Sequence, residues 1–153
     1  MKENLTATAT IFLNATPAQV WETLTNPELI NQYLFDTEVY SEWKEGQTIT
    51  WQGIYKGKAY EDKGILLKME PDKLLQHTYL SAMSGKEDKP ENYDMVTYSI
   101  AVKEDATLLT VTQNHSDNEK AKENSTKNWQ AVLEKLKEVV EKKGVYSDKV
   151  SYQ

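Results

Sequence analysis

The stretch from Ser116 to Gly144 constrains this chain more than any other. Ser116-Asp117-Asn118-Glu119 has the form of a capping box. Trp129, Val132, Leu133, Leu136, Val139 and Val140 then recur at the three-four spacing of one helix face. Lys142 and Lys143 complement the negative end of a helix, and Gly144 stands where a left-handed residue after the last turn is favoured. The spacing predicts one helix of about 26 residues, roughly 40 Å long. A stripe of that length needs a large apolar partner, and the preceding sequence reads mostly as strands. A sheet wrapped along such a helix can leave a cavity between the two.

Residues 6–14 alternate, with Ala7, Ala9, Ile11 and Leu13 on one face and threonines opposite, as in a half-buried strand. Thr16-Pro17-Ala18-Gln19 supplies an N-cap, a proline in the first turn and a capping-box glutamine. The helix it opens carries Val20, Trp21 and Leu24, with Trp21 assigned to packing between short helices. Asn26-Pro27 starts a second short helix with Leu29, Ile30, Tyr33 and Leu34. Strand candidates follow at 36–41, 47–53, 59–69 and 74–81, with Gly64 as a possible bulge. Lys56-Gly57 reads as a turn, and Glu70-Pro71-Asp72-Lys73 as a type I turn. The polar stretch Ser81–Asn92 is the longest loop and a candidate lid. A hairpin about Glu104-Asp105 closes the series, with Val96, Tyr98, Ile100 and Val102 inward on one arm. Leu109 and Val111 face inward on the other, and Gln113 and His115 continue that parity. Sequential strands with short turns favour an antiparallel sheet, and the helices gather on one face. The class is therefore α+β, in one domain over 1–144 with a tail at 145–153.

Composition removes several functions. The formal net charge is −6, against the basic surface that nucleic acid requires. All 18 basic residues are lysine, so no guanidinium fork clamps a carboxylate or phosphate. Without cysteine there is neither a disulfide framework nor a thiolate zinc site. No apolar run approaches the ~20 residues of a membrane span. Met1–Leu5 has no signal-peptide character, so a cytoplasmic location is expected. Neither a nucleophile elbow nor a glycine-rich phosphate loop is present, and no cofactor is implied.

The candidate binding residues are aromatic or polar side chains on inward parity. Tyr33, Trp51, Tyr79, Tyr98 and Trp129 converge on the helix–sheet interior, each bringing apolar area with a polar handle. Leu133 and Leu136 extend the helix wall. Gln113 is a hydrogen-bond donor for a ligand. His77 and His115 are the only histidines; they line the pocket and lack the third ligand of a zinc site. Asp36, Glu38, Glu61 and Asp62 read as charge on a wet face, and Glu123/Lys127 and Glu138/Lys142 as solvated helix pairs.

In this order the chain resembles the SRPBCC or START-like (Bet v 1-like) superfamily. Within it, the chain is most similar to homologues of the heat-shock-protein ATPase activator domain. Thr16-Pro17-Ala18-Gln19-Val20-Trp21 resembles the family's opening helix, and Trp43-Lys44-Glu45-Gly46 with Ile49-Thr50-Trp51 its approach to the sheet. Gly64-Ile65-Leu66 through Glu70-Pro71-Asp72-Lys73-Leu74 resembles its strand-turn-strand, and Thr107–Val111 its penultimate strand. Asn128-Trp129 with Leu133 and Leu136 resembles its final helix, with Asn in place of Gly before the tryptophan. The resemblance implies a helix-grip fold and three functions. The first is a binding module for a hydrophobic or aromatic small molecule. The second is a stress-response protein acting through its surface on a heat-shock chaperone. The third is a cofactor-free cyclase or hydrolase using a pocket histidine. A non-enzymatic role is favoured.

Overall fold

In the computed structural model, residues 5–34 and 36–151 are described, with side chains as far as Lys142. The strands are β1 (Ala7–Leu13), β2 (Glu38–Ser41), β3 (Thr48–Tyr55), β4 (Lys58–Glu70), β5 (Leu74–Tyr79), β6 (Asp94–Lys103) and β7 (Ala106–Gln113). They form one sheet in the order β1-β7-β6-β5-β4-β3-β2, antiparallel at every step. Helices α1 (Pro17–Thr25) and α2 (Pro27–Tyr33) follow β1, and α3 (Glu119–Ser151) closes the fold along β1 and against α1 and α2. This is the α+β helix-grip arrangement.

Local chemistry starts each helix. The Thr16 hydroxyl accepts from Gln19 N–H, and the Gln19 side chain accepts from Thr16 N–H, a complete capping box. Asn26 ends α1 and caps α2 by accepting from Glu28 N–H. At α3 the expected cap at Ser116 is displaced. Asn118 does the capping, its side chain accepting from Ala121 N–H, because Ser116 N–H donates instead to the Leu5 carbonyl beside β1.

Five further expectations are corrected. Gly144 does not end α3, which spans 33 residues to Ser151; glycine permits a left-handed stop but does not enforce one. The side chains of the expected tail 145–153 lie outside the described residues, as do residues 1–4. The 70–73 turn carries φ 67° at Asp72, the mark of type II rather than type I. The β4–β5 bulge falls between Leu66 and Lys68, not at Gly64. Gly64 instead serves close approach: a Cβ there would lie 1.8 Å from the Thr78 carbonyl oxygen. Val102, at the end of β6, is exposed. The ion pair along α3 is Lys137–Glu141, while neither Glu123/Lys127 nor Glu138/Lys142 closes among the described residues.

The core gathers under residues 132–140 of α3. Leu13, Val20, Leu109, Leu133 and Leu136 are fully enclosed, joined by Val139 and Val140. Each such side chain stabilises the fold by about 1.5–3 kcal/mol relative to exposure.

Candidate functional site

Toward the N-terminal half of α3 the same interface opens into a cavity of about 700 Å³, within the ~300–1,000 Å³ range of small-molecule sites. On the helix side its wall is Ala121, Asn124, Ser125, Asn128, Trp129 and Val132. On the sheet side the inward residues of β3, β5 and β6 form an arc of rings. The Trp51 ring lies 4.9 Å from His77 and 5.2 Å from Tyr79, the latter edge-on. His77 lies 6.0 Å from Tyr98, whose ring meets Trp129 edge-on at 5.8 Å. Edge-to-face rings at these spacings attract one another beyond simple burial.

Six of the anticipated residues meet at this cavity: Trp51, His77, Tyr79, Tyr98, Gln113 and Trp129. Four do not. Tyr33 is core, its hydroxyl donating to the Thr23 carbonyl. Leu133 and Leu136 are packed solid. His115 is exposed, because β7 stops at Gln113 and a left-handed φ of 62° at His115 breaks the alternation.

Gln113 is not a free donor. Its amide nitrogen donates to Asp94, and its oxygen accepts from the Trp129 indole N–H at 2.8 Å. The pair ties β7 to α3 at the cavity wall. Burial holds the Asp94 carboxyl above its ordinary value, while the Gln113 bond works against that rise.

His77 is enclosed, and desolvation lowers its pKa to about 4 despite the opposing Thr78 carbonyl bond. At neutral pH it is uncharged. Because a carbonyl only accepts, the 2.8 Å contact fixes the proton on Nδ1 and leaves Nε2 with a lone pair. Burial also raises the Tyr98 and Tyr79 phenols, so both stay protonated. On Tyr79 the Asp62 carboxylate adds to the rise.

Asp62 overturns the wet-face expectation. It sits opposite Trp51 in the β3–β4 register, on the inward face, at 8% exposure. Its carboxylate accepts from the Tyr79 hydroxyl at 2.7 Å and from Ala82 N–H at 2.8 Å. The alternation Asp62, Gly64, Leu66 signals this parity. At the outer end the Tyr60 ring lies over Gly53, where a Cβ would come within 2.9 Å of it, and the Tyr60 hydroxyl bonds Thr37 at 2.8 Å. Ile54, Tyr55 and Met83 form an exposed apolar rim. The 81–92 loop contributes Ser81 and Met83 and is tied back by Lys63–Asp88.

Among the described residues no group of three or more histidine or acidic side chains is placed to hold a metal. No described helix is long and apolar enough to cross a membrane. The arrangement offers apolar faces, a neutral imidazole, amide and hydroxyl groups, and one carboxylate.

The fold and cavity define a helix-grip domain of the START-like class. The chain belongs to the family of Activator of Hsp90 ATPase homolog 1-like proteins, whose profile matches residues 14–141. A solution structure from Cytophaga hutchinsonii is 41% identical, with a TM-score of 0.82 over 95% of this chain and 99% of that one. CalU16 from Micromonospora echinospora shares the fold at 20% identity and TM-score 0.67, over 90% of this chain and 85% of that one. So does the Aha1 dimer from Colwellia psychrerythraea, at 16% identity and TM-score 0.68, over 88% and 95%. No curated protein sequence matches the chain.

Proposed function

We propose that this protein is a non-enzymatic binding domain, in one unit over 1–144, that takes a hydrophobic or aromatic small molecule between the sheet and α3. The observation that carries this reading is the 700 Å³ cavity faced by Trp51, Tyr79, Tyr98 and Trp129. Such rings give contact area with few rotatable bonds, so they lose little entropy on binding. A cytoplasmic location goes with this reading. Native mass spectrometry of gently purified protein tests it: added mass over 17.6 kDa that leaves on denaturation names the ligand class. If the protein is bare and 1-aminonaphthalene-type dyes leave tryptophan emission unchanged, the reading fails.

The family description favours a second reading, surface action on a heat-shock ATPase as a chaperone-associated stress-response protein. It requires association at micromolar concentration and a changed ATPase rate. A cyclase or hydrolase would rest on His77 alone, since His115 does not line the cavity.

A further inference from the structure

The cavity wall is unbalanced in charge. Among the described residues lining it, Asp62 is the only formally charged side chain, and His77 is neutral. The adjacent lysine, Lys63, points to the other face and pairs with Asp88. Asp62 makes no ion pair among the described residues. Its two oxygens offer about four acceptor positions, of which Tyr79 and Ala82 occupy two. A carboxylate at 8% exposure without a cation is an expensive group to keep unless something completes it.

The surroundings suit a cation. Tyr79 brings its ring beside Asp62 through their hydrogen bond, and Trp51, opposite Asp62 across the strands, stands 5.2 Å from that ring. Aromatic faces attract an ammonium while also accepting its apolar body. His77 Nε2 adds an acceptor with no protein partner among the described residues. The whole chain carries −6, which raises the local concentration of cations and repels anions. An anionic ligand would face Asp62 with no lysine to offset it, and a neutral one can donate a hydrogen bond to Asp62 without offsetting its charge.

We propose that the ligand is a lipophilic amine, its ammonium donating to Asp62 and its apolar body lying against the Trp51–Tyr79–Tyr98–Trp129 arc. This rests on the cavity-binding reading above and names the chemistry of the same site.

Calorimetry with three probes of one skeleton tests it: 2-(1-naphthyl)ethylamine, 2-(1-naphthyl)ethanol and 1-naphthaleneacetate at pH 7. The amine binds at least about tenfold more tightly than the alcohol, the advantage of a charge-assisted bond, and the acetate binds most weakly. Asp62→Asn removes the amine's advantage over the alcohol. Equal binding of amine and alcohol, or an amine affinity unchanged in Asp62→Asn, overturns the proposal while leaving the cavity reading intact. Binding by none of the three overturns both. The comparison in the wild-type protein decides the matter even if Asp62→Asn does not fold.

Discussion

The two halves of the described stripe of α3, residues 121–129 and 132–140, meet the sheet differently. In the first half the stripe is Ala121, Ser125 and Asn128, and the helix borders open space. In the second, past Val132 at the border of the two, it is Leu133, Leu136, Val139 and Val140, and the interface is packed. The spacing does not change; the side-chain volume does. Apart from Trp129, the residues the helix turns to the cavity are small or polar and leave the gap unfilled, while branched apolar residues fill the other end. A cavity in this fold is thus written in residue size along one helix face.

That comparison can be broken most strongly at the packed end. Leu136→Ala loses about 2–5 kcal/mol in denaturant unfolding, yet the surviving folded protein binds a cavity probe as before. A loss of probe affinity without destabilisation would reverse the roles assigned to the two halves.

The sheet side of the hollow half should be pH-sensitive. His77 has its folded-state pKa lowered to about 4 from 6.5. Between these values the unfolded chain binds the extra proton, so stability is full above about pH 6.5 and falls as the pH drops toward about 4. The loss is on the order of 3 kcal/mol. His77→Phe should flatten that limb of the stability–pH curve, and an unchanged limb would remove His77 from the account.

Asn118→Ala, at the head of the hollow half, should cost about 1 kcal/mol through the lost cap. The same change at Ser116 should have less effect on helix stability, and a reversed ranking would restore the Ser116 capping box. The smallest stability effect belongs to Ser125→Leu, within about 0.5 kcal/mol. Filling the cavity from the helix side should nonetheless abolish probe binding. A comparable insertion at the packed end, Val140→Phe, overpacks and should lose about 1–3 kcal/mol.

Some of the site could be read before any coordinates. Trp51 and Tyr98 share inward parity on their strands, and Trp129 lies on the helix stripe; over 74–81 the face of Leu75, His77 and Tyr79 competes with that of Leu74, Thr78 and Leu80, so period alone left their side open. Asp62 has the same parity but a charged side chain, and charge argued for water until the register with Trp51 and the donors Tyr79 and Ala82 were known. Tyr33 looks like a pocket residue in one dimension because a hydroxyl at helical spacing carries no sign of whether Thr23 will accept from it. Gln113 was visible as inward, but its two amide partners come from β6 and α3, distant in sequence.

The amino-acid order by itself determined the antiparallel strands and the three helices, because these follow from local spacing, caps and turns. It also determined the absence of arginine and the acidic balance. Only the tertiary structure decided where the helix stands off the sheet, which inward residues touch space rather than one another, and that a lone carboxylate closes the wall. Those outcomes depend on the summed volumes and hydrogen bonds of residues from five or more elements, and no local pattern carries that sum.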